Sequence, residues 1–402
     1  MISKTKLFMA LSLGFMMLGL LAGIFRLMGE NSLSTGFLSS LYMLHPLMMV
    51  FGFLAAIVMT ERVAGVSVIP DMKDSRVPSA TVPLIALGVV SEIVGYTLDA
   101  PLARYFGASL LLAGCLVFAI VLLRLSSKTG VRLPFHFMIL SVLSLSGAAV
   151  LSGFSLPAGD ISFIMLLLSF PIIFILGERV ELTRFTASSS VVSRFTIAYA
   201  LAAVSVGAFL LASLPSSMPY IDLVSIGTLA LLATMALVLY AESENFKLLA
   251  KSNLPLQRYV YSHTRVAYVW GMMGLTFALT YFASSFNFDL YDPFIHSLAV
   301  GFIGTMLLAH GPVILPSVTG RRLDLATLSK MPLVILTIGN ALRIVGDLVL
   351  LRYNSMALSY VVGLSGWLIL ASVILFLREI LGKKRSKLTL LEIKIPDAPK
   401  PE

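Results

Sequence analysis

Two histidines, His296 and His310, stand fourteen positions apart in IHSLAVGFIGTMLLAH (295–310), with no charged side chain between them. Neutral imidazole is a common ligand for haem iron and for copper. A polar side chain inside an apolar helix faces the bundle interior and marks function. Fourteen residues of α-helix turn through about 1400°, some 40° from the starting direction, and advance about 21 Å. The pair would share one helix face and stand near opposite sides of a membrane. A third histidine, His45, opens HPLMMVFGF (45–53), another apolar stretch. His136 and His263 complete the set of five.

The elements that must carry these groups follow from composition. The 402 residues are 58% hydrophobic and 12% charged, about half the charged fraction of a soluble domain. Apolar runs of about 20 residues, enough to cross a bilayer core, recur from end to end. The expected fold is all-α: a polytopic bundle of twelve spans at 7–28, 39–60, 81–99, 103–124, 134–154, 160–178, 194–213, 219–240, 261–285, 292–315, 331–351 and 356–379. MISKTK before the first run resembles the basic start of a secretory signal, but the run is too long for one and no small-x-small site follows. With both termini on the inner side, all Lys and Arg except Arg26, Arg104, Arg343 and Arg352 fall in or beside inner segments, as the positive-inside rule requires. The expectation is one twelve-span domain, 1–385, with a disordered inner tail, 386–402, in a cell (inner) membrane with both ends cytoplasmic. The net charge of +9 is then a topology signal and a contact for anionic lipid, not a nucleic-acid surface. The single Cys115 cannot form an intrachain disulfide and reads as a small core residue. P-loop, CxxC and Rossmann fingerprints are missing from the sequence.

Placed on these spans, His45 lies about six residues into span two and His296 about four into span ten, both running from outside to inside. Matching depth on two helices is the arrangement of two axial ligands on one haem iron. Gly52 shares the face of His45 and would let a flat macrocycle lie close. His310 would serve a second haem or a copper ion toward the inside, with His263 and His136, at the starts of spans nine and five, as candidate partners. Arg26, Arg352 and Arg104 fall near the outer level, where haem carboxylates would need cations. Arg343 lies deeper and can pair with Asp347 at i, i+4. Each group has a plainer alternative: interhelical hydrogen bonds for the histidines, headgroup snorkelling for the outer arginines, and a structural ion pair for Arg343. Glu92 and Asp99 could mark a polar path, or Glu92 could be a hydrogen-bonded core residue. LGERVELTRF (176–185) reads as an inner salt-bridge cluster.

The segment IHSLAVGFIGTMLLAHGPVILPSVTGRR (295–322), with its early histidine, glycine-spaced helix and closing TGR, resembles the NnrS family. NALRIVGDL (340–348) and HPLMMVFGF (45–53) are similar to two further segments of that family. The resemblance implies a twelve-span membrane protein that binds b-type haem, and copper as well, in the response to nitric oxide or another diatomic gas. Where the family carries an additional histidine before TGR, this chain has Val318, which puts that ligand role in doubt. A second, distant similarity is to haem–copper oxidase catalytic subunits, whose low-spin haem is held by histidines on spans two and ten. Spans six and seven here contain no histidine, so the oxidases' copper-binding set is missing and oxygen reduction by that route is not expected. Three readings stand: an NnrS-like haem protein for nitric oxide response or electron transfer, a diheme cytochrome b-type subunit, or a haem-free secondary transporter. The redox partner is not legible.

Overall fold

A computed structural model describes residues 4–29, 44–66, 77–154, 160–183, 188–214, 220–286, 288–319, 328–353 and 356–382. Within these residues the chain is all-α, and twelve helices are long and apolar enough to cross a membrane. It is a multi-pass membrane protein. An unpaired peptide group costs several kcal/mol in lipid, so each apolar run closes its own hydrogen bonds as a helix.

In chain order the spans are α1 (Lys4–Gly29), α2 (His45–Leu47, Met48–Ala55 and Ala56–Val66 in sequence), α3 (Val77–Thr97), α4 (Pro101–Thr129), α5 (Leu133–Phe154) and α6 (Ile161–Thr183). They continue with α7 (Ser189–Ala212), α8 (Tyr220–Ala241), α9 (Pro255–Ala283), α10 (Tyr291–His296, Ser297–Gly304 and Thr305–Thr319), α11 (Met331–Tyr353) and α12 (Met356–Gly382). A short polar helix, Ser243–Lys251, follows α8. The spans agree with the hydropathy reading to within a few residues at most ends. The described part of α2 begins at His45, with the peptide before it capped by Leu44. Residues 383–402, which include the expected tail, lie outside the described residues.

Local chemistry sets several of the boundaries. Proline stands in the first turn of α2, α4 and α9, where its missing N–H costs nothing. Gly130 ends α4 in the left-handed region at φ 69°, a conformation that only glycine adopts cheaply. Asp99 also has positive φ, 47°, in the turn after α3. The helix ends at Thr97, so Glu92 and Asp99 do not continue one helical face. Glu92 is fully buried and its Oε1 accepts the Ser152 hydroxyl at 2.9 Å, tying α3 to α5. That matches the bundle-core alternative.

Apolar side chains cover both the inside and the outside of the bundle, as lipid permits. Leu102, Phe106, Leu116 and Leu229 are exposed on its periphery, while Phe163, Phe170 and Phe174 of α6 are buried. Helix α6 is the central member, 89% of its span being enclosed by protein, and it touches α2, α5, α7, α8 and α10. Hairpin neighbours pack pairwise, α3 on α4, α7 on α8 and α11 on α12, and α9 lies against α10 as their short connection predicts. Cys115 is buried and free.

The end of the bundle where α6 finishes is held by ion pairs. Arg62 reaches Glu178 at 3.0 Å and Glu181 at 3.1 Å. Arg179 meets Glu242 at 2.9 Å, which also accepts from Thr183 at 3.0 Å and Tyr268 at 2.8 Å. Three residues, Arg179 and Thr183 of α6 and Tyr268 of α9, thus satisfy one fully buried carboxylate, the condition under which a buried pair is tolerable. Glu178, Arg179 and Glu181 of the alternating-charge segment belong to this cluster.

Candidate functional site

One cavity of about 520 Å³ lies within the bundle, walled by α1, α2, α6, α10, α11 and α12. That is a typical volume for a small-molecule or cofactor site. Its walls are leucine, isoleucine, valine, methionine and phenylalanine, with polar groups gathered at two ends. His45, His296, Asp292 and Arg343 stand at one end; Glu61, Glu178 and His310 stand at the other. Even-numbered spans run in the same direction, so His45 and His296, each near the start of its helix, face the cavity from the same membrane level.

The backbone sets the state of each imidazole. His45 Nδ1 lies 2.7 Å from the Gly19 carbonyl of α1. His310 Nδ1 lies 2.8 Å from the Met306 carbonyl. His296 Nδ1 is 3.1 Å from the Asp292 carbonyl and 3.2 Å from Asp292 Oδ2. A carbonyl oxygen only accepts, so in the neutral ring Nδ1 carries the proton and Nε2 the lone pair. This is the tautomer in which Nε2 can ligate a metal, with the opposite nitrogen oriented by a second partner. The Nε2 of His310 is buried and has no hydrogen-bond partner among the described residues. His45 also rests directly on Gly23: a Cβ there would come within 3.2 Å of the ring.

Both histidine helices depart from regular α geometry at the cavity. Met48–Ala55 of α2 and Ser297–Gly304 of α10 are π-helical, a wider turn that is rare and concentrated at functional sites. Each π segment begins within three residues of its histidine. The α-helical extrapolation of about 40° between His296 and His310 does not hold through such a segment, yet both rings still line the same cavity. The two stretches also share a pattern, His45-x-Leu47-x-x-x-Phe51 and His296-x-Leu298-x-x-x-Phe302, whose leucines and phenylalanines are fully buried.

Arg343 pairs with Asp347 at 2.9 Å, as its spacing predicts, and also with Asp292 on α10. Arg343 Nη2 and Nε lie 2.6 and 2.7 Å from Asp292 Oδ2. The single Nε proton points at Asp292, so Asp347 adds charge to the cluster rather than a further acceptor for that proton. Arg343 is 8% exposed, and its Nη1 has no hydrogen-bond partner among the described residues. A buried guanidinium with an unused donor, on the wall of a cavity, is a seat for a carboxylate of an occupant.

Other candidates lie elsewhere. His263 is fully buried, bonded through Nδ1 to the Tyr259 carbonyl at 2.8 Å and stacked on the Tyr259 ring, but it does not line the cavity. His136 is exposed on α5 beside the Tyr199 ring. Neither lines the cavity with His310. Among the described residues no group of three or more His, Cys, Asp or Glu is placed to hold a metal ion. Arg104 sits over the Tyr96 ring at 5.1 Å, away from the cavity. The side chains of Arg26 and Arg352 lie outside the described residues. Gly52 does not face an open slot, because the Phe15 ring of α1 fills the position, 2.7 Å from where a Cβ would stand. The sequence reading missed Asp292, Glu61 and Glu178 as wall residues. Asp292 had a usable signal, its i, i+4 spacing from His296.

The chain belongs to the family described as a domain of unknown function (DUF8744), which matches residues 5–383. Comparison with curated proteins returned no match.

Proposed function

We propose that this DUF8744 chain is a membrane haem protein in which His45 and His296 are the two axial ligands of one b-type haem. The observation that carries this reading is an apolar cavity lined by two imidazoles, one from α2 and one from α10. Both rings have Nδ1 committed to an acceptor, which leaves Nε2 as the ligating atom. The residues fit the group in a second respect: the unused Nη1 of Arg343 is a donor for a haem carboxylate on the same wall. The resemblance to the NnrS family and the distant one to oxidase subunits point the same way.

Between two imidazoles, haem supplies a one-electron couple whose potential the protein tunes. The chain's own contribution is to bind and orient. Gly23 and Gly19 seat His45 against α1, Asp292 aims His296, Arg343 holds a carboxylate, and the apolar walls keep water out. Two strong ligands favour electron transfer over gas binding at this level. The lysine and arginine asymmetry supports an outer-side position for this end of the cavity.

His310 favours a second reading alongside the first. Its buried, unpartnered Nε2 in the far half of the cavity is suited to a second haem with one imidazole ligand, which leaves a position for nitric oxide or another diatomic gas. Reduced-minus-oxidised spectra and a haem assay on the purified protein test both readings. We expect a low-spin signal lost in His45→Ala and in His296→Ala and kept in His310→Ala, which would lose only a second signal. A colourless protein that remains folded overturns the haem reading and turns attention to transport through the cavity.

A further inference from the structure

We propose that Asp292 is a positioning residue that holds the His296 imidazole and sets the reduction potential of the iron it would ligate; this rests on the haem reading above. Two oxygens of one residue, the main-chain carbonyl at 3.1 Å and Oδ2 at 3.2 Å, converge on His296 Nδ1. Both stand one helical turn before the ring, so Nδ1 is hydrogen-bonded to the carbonyl with the carboxylate close beside it. The corresponding proton of His45 goes to one neutral carbonyl, that of Gly19, at 2.7 Å.

The difference is electronic as well as geometric. A carboxylate accepting from Nδ1–H pulls that proton outward and raises the electron density at Nε2, which makes the ligand more basic. A more basic ligand stabilises ferric over ferrous iron and lowers the potential. A neutral carbonyl acceptor does less of this than a carboxylate. Arg343 moderates the effect, since its Nη2 and Nε draw on the same Oδ2 at 2.6 and 2.7 Å. The result is a relay of guanidinium, carboxylate and imidazole running from α11 to α10, with Asp347 Oδ2 beside Asp292 Oδ2 at the same Nε, 2.9 Å away. Asp347 meets Arg343 and the Asp292 carboxyl but has no contact with the His296 ring among the described residues, so it serves as the control for the cluster without direct contact to the ligand.

The test is a spectroelectrochemical titration of the full-length protein as purified, beside Asp292→Asn and Asp347→Asn. Asparagine keeps an oxygen acceptor for Nδ1 and removes the charge. Asp292→Asn is expected to retain one low-spin haem per chain and to raise the midpoint. At the wild-type midpoint its ferrous-to-ferric ratio should rise about tenfold, or 59 mV for one electron. Asp347→Asn should move the midpoint less. An unchanged midpoint in haem-bearing Asp292→Asn, or an equal shift in Asp347→Asn, overturns the inference while leaving the haem reading intact. Should Asp292→Asn fail to hold haem, Asp292→Glu decides: haem restored by glutamate supports the carboxylate, and loss in both variants overturns its role. Wild-type protein without haem overturns the underlying reading and this inference with it.

Discussion

Arg343 shows how far single residues could be read in advance. Its partner Asp347 follows from helical spacing alone, and the ion pair is present. Its other partner, Asp292, lies 51 residues away in sequence, and no local signal links positions on different helices. The same limit applied to the histidines: matching depth on spans two and ten brought His45 and His296 together, but depth alone could not separate His310 from His263 or His136. Which way a side chain faces depends on packing that hydropathy does not encode. Removing Arg343 has a definite expected cost. Arg343→Ala leaves Asp292 and Asp347 without their shared cation in a largely buried site, a change worth about 3–5 kcal/mol. The detergent-solubilised variant should melt well below wild type, and Arg343→Lys, which keeps the charge but lacks the fork, should fall between them. Equal melting of all three would show that the cluster carries no stability.

At the scale of the element, the existence and order of twelve helices were legible because each needs only a long apolar run. The π segments of α2 and α10 were not, since widening a turn changes neither composition nor mean hydropathy. They are held by close contacts: Gly301 of α10 receives Trp270 of α9, where a Cβ would lie 2.6 Å from the tryptophan side chain. Small residues at such crossings are how helices approach in lipid, where apolar burial supplies no net drive. The same logic makes Gly23 of α1 a test of the site. In Gly23→Ala the new methyl group meets the His45 ring at 3.2 Å. Displacing the ring is expected to cost about 1–3 kcal/mol of overpacking and to lower cofactor retention while circular dichroism stays unchanged. Wild-type retention in Gly23→Ala would mean that the imidazole does not depend on its seat against α1.

The whole molecule is organised along the membrane normal, with a carboxylate–arginine network at one end of the bundle and the Asp292–Arg343 cluster at the other. Lysine and arginine asymmetry predicts that the network end faces the cytoplasm. The short helix Ser243–Lys251 lies just beyond α8 at that end, and Lys247 on it is exposed. With Cys115 buried, a Lys247→Cys protein carries one reachable thiol. An impermeant maleimide should label it in inverted vesicles and not in right-side-out ones, and the opposite pattern would reverse the topology. An occupant of the cavity lined by six of the twelve helices would also link abundance to supply. An occupant that binds only the folded chain adds RT ln(1 + [L]/Kd), about 2.7 kcal/mol at a hundredfold excess over Kd. The quantity of intact protein in the membrane would then rise and fall with the cell's stock of that occupant, with no change in its synthesis.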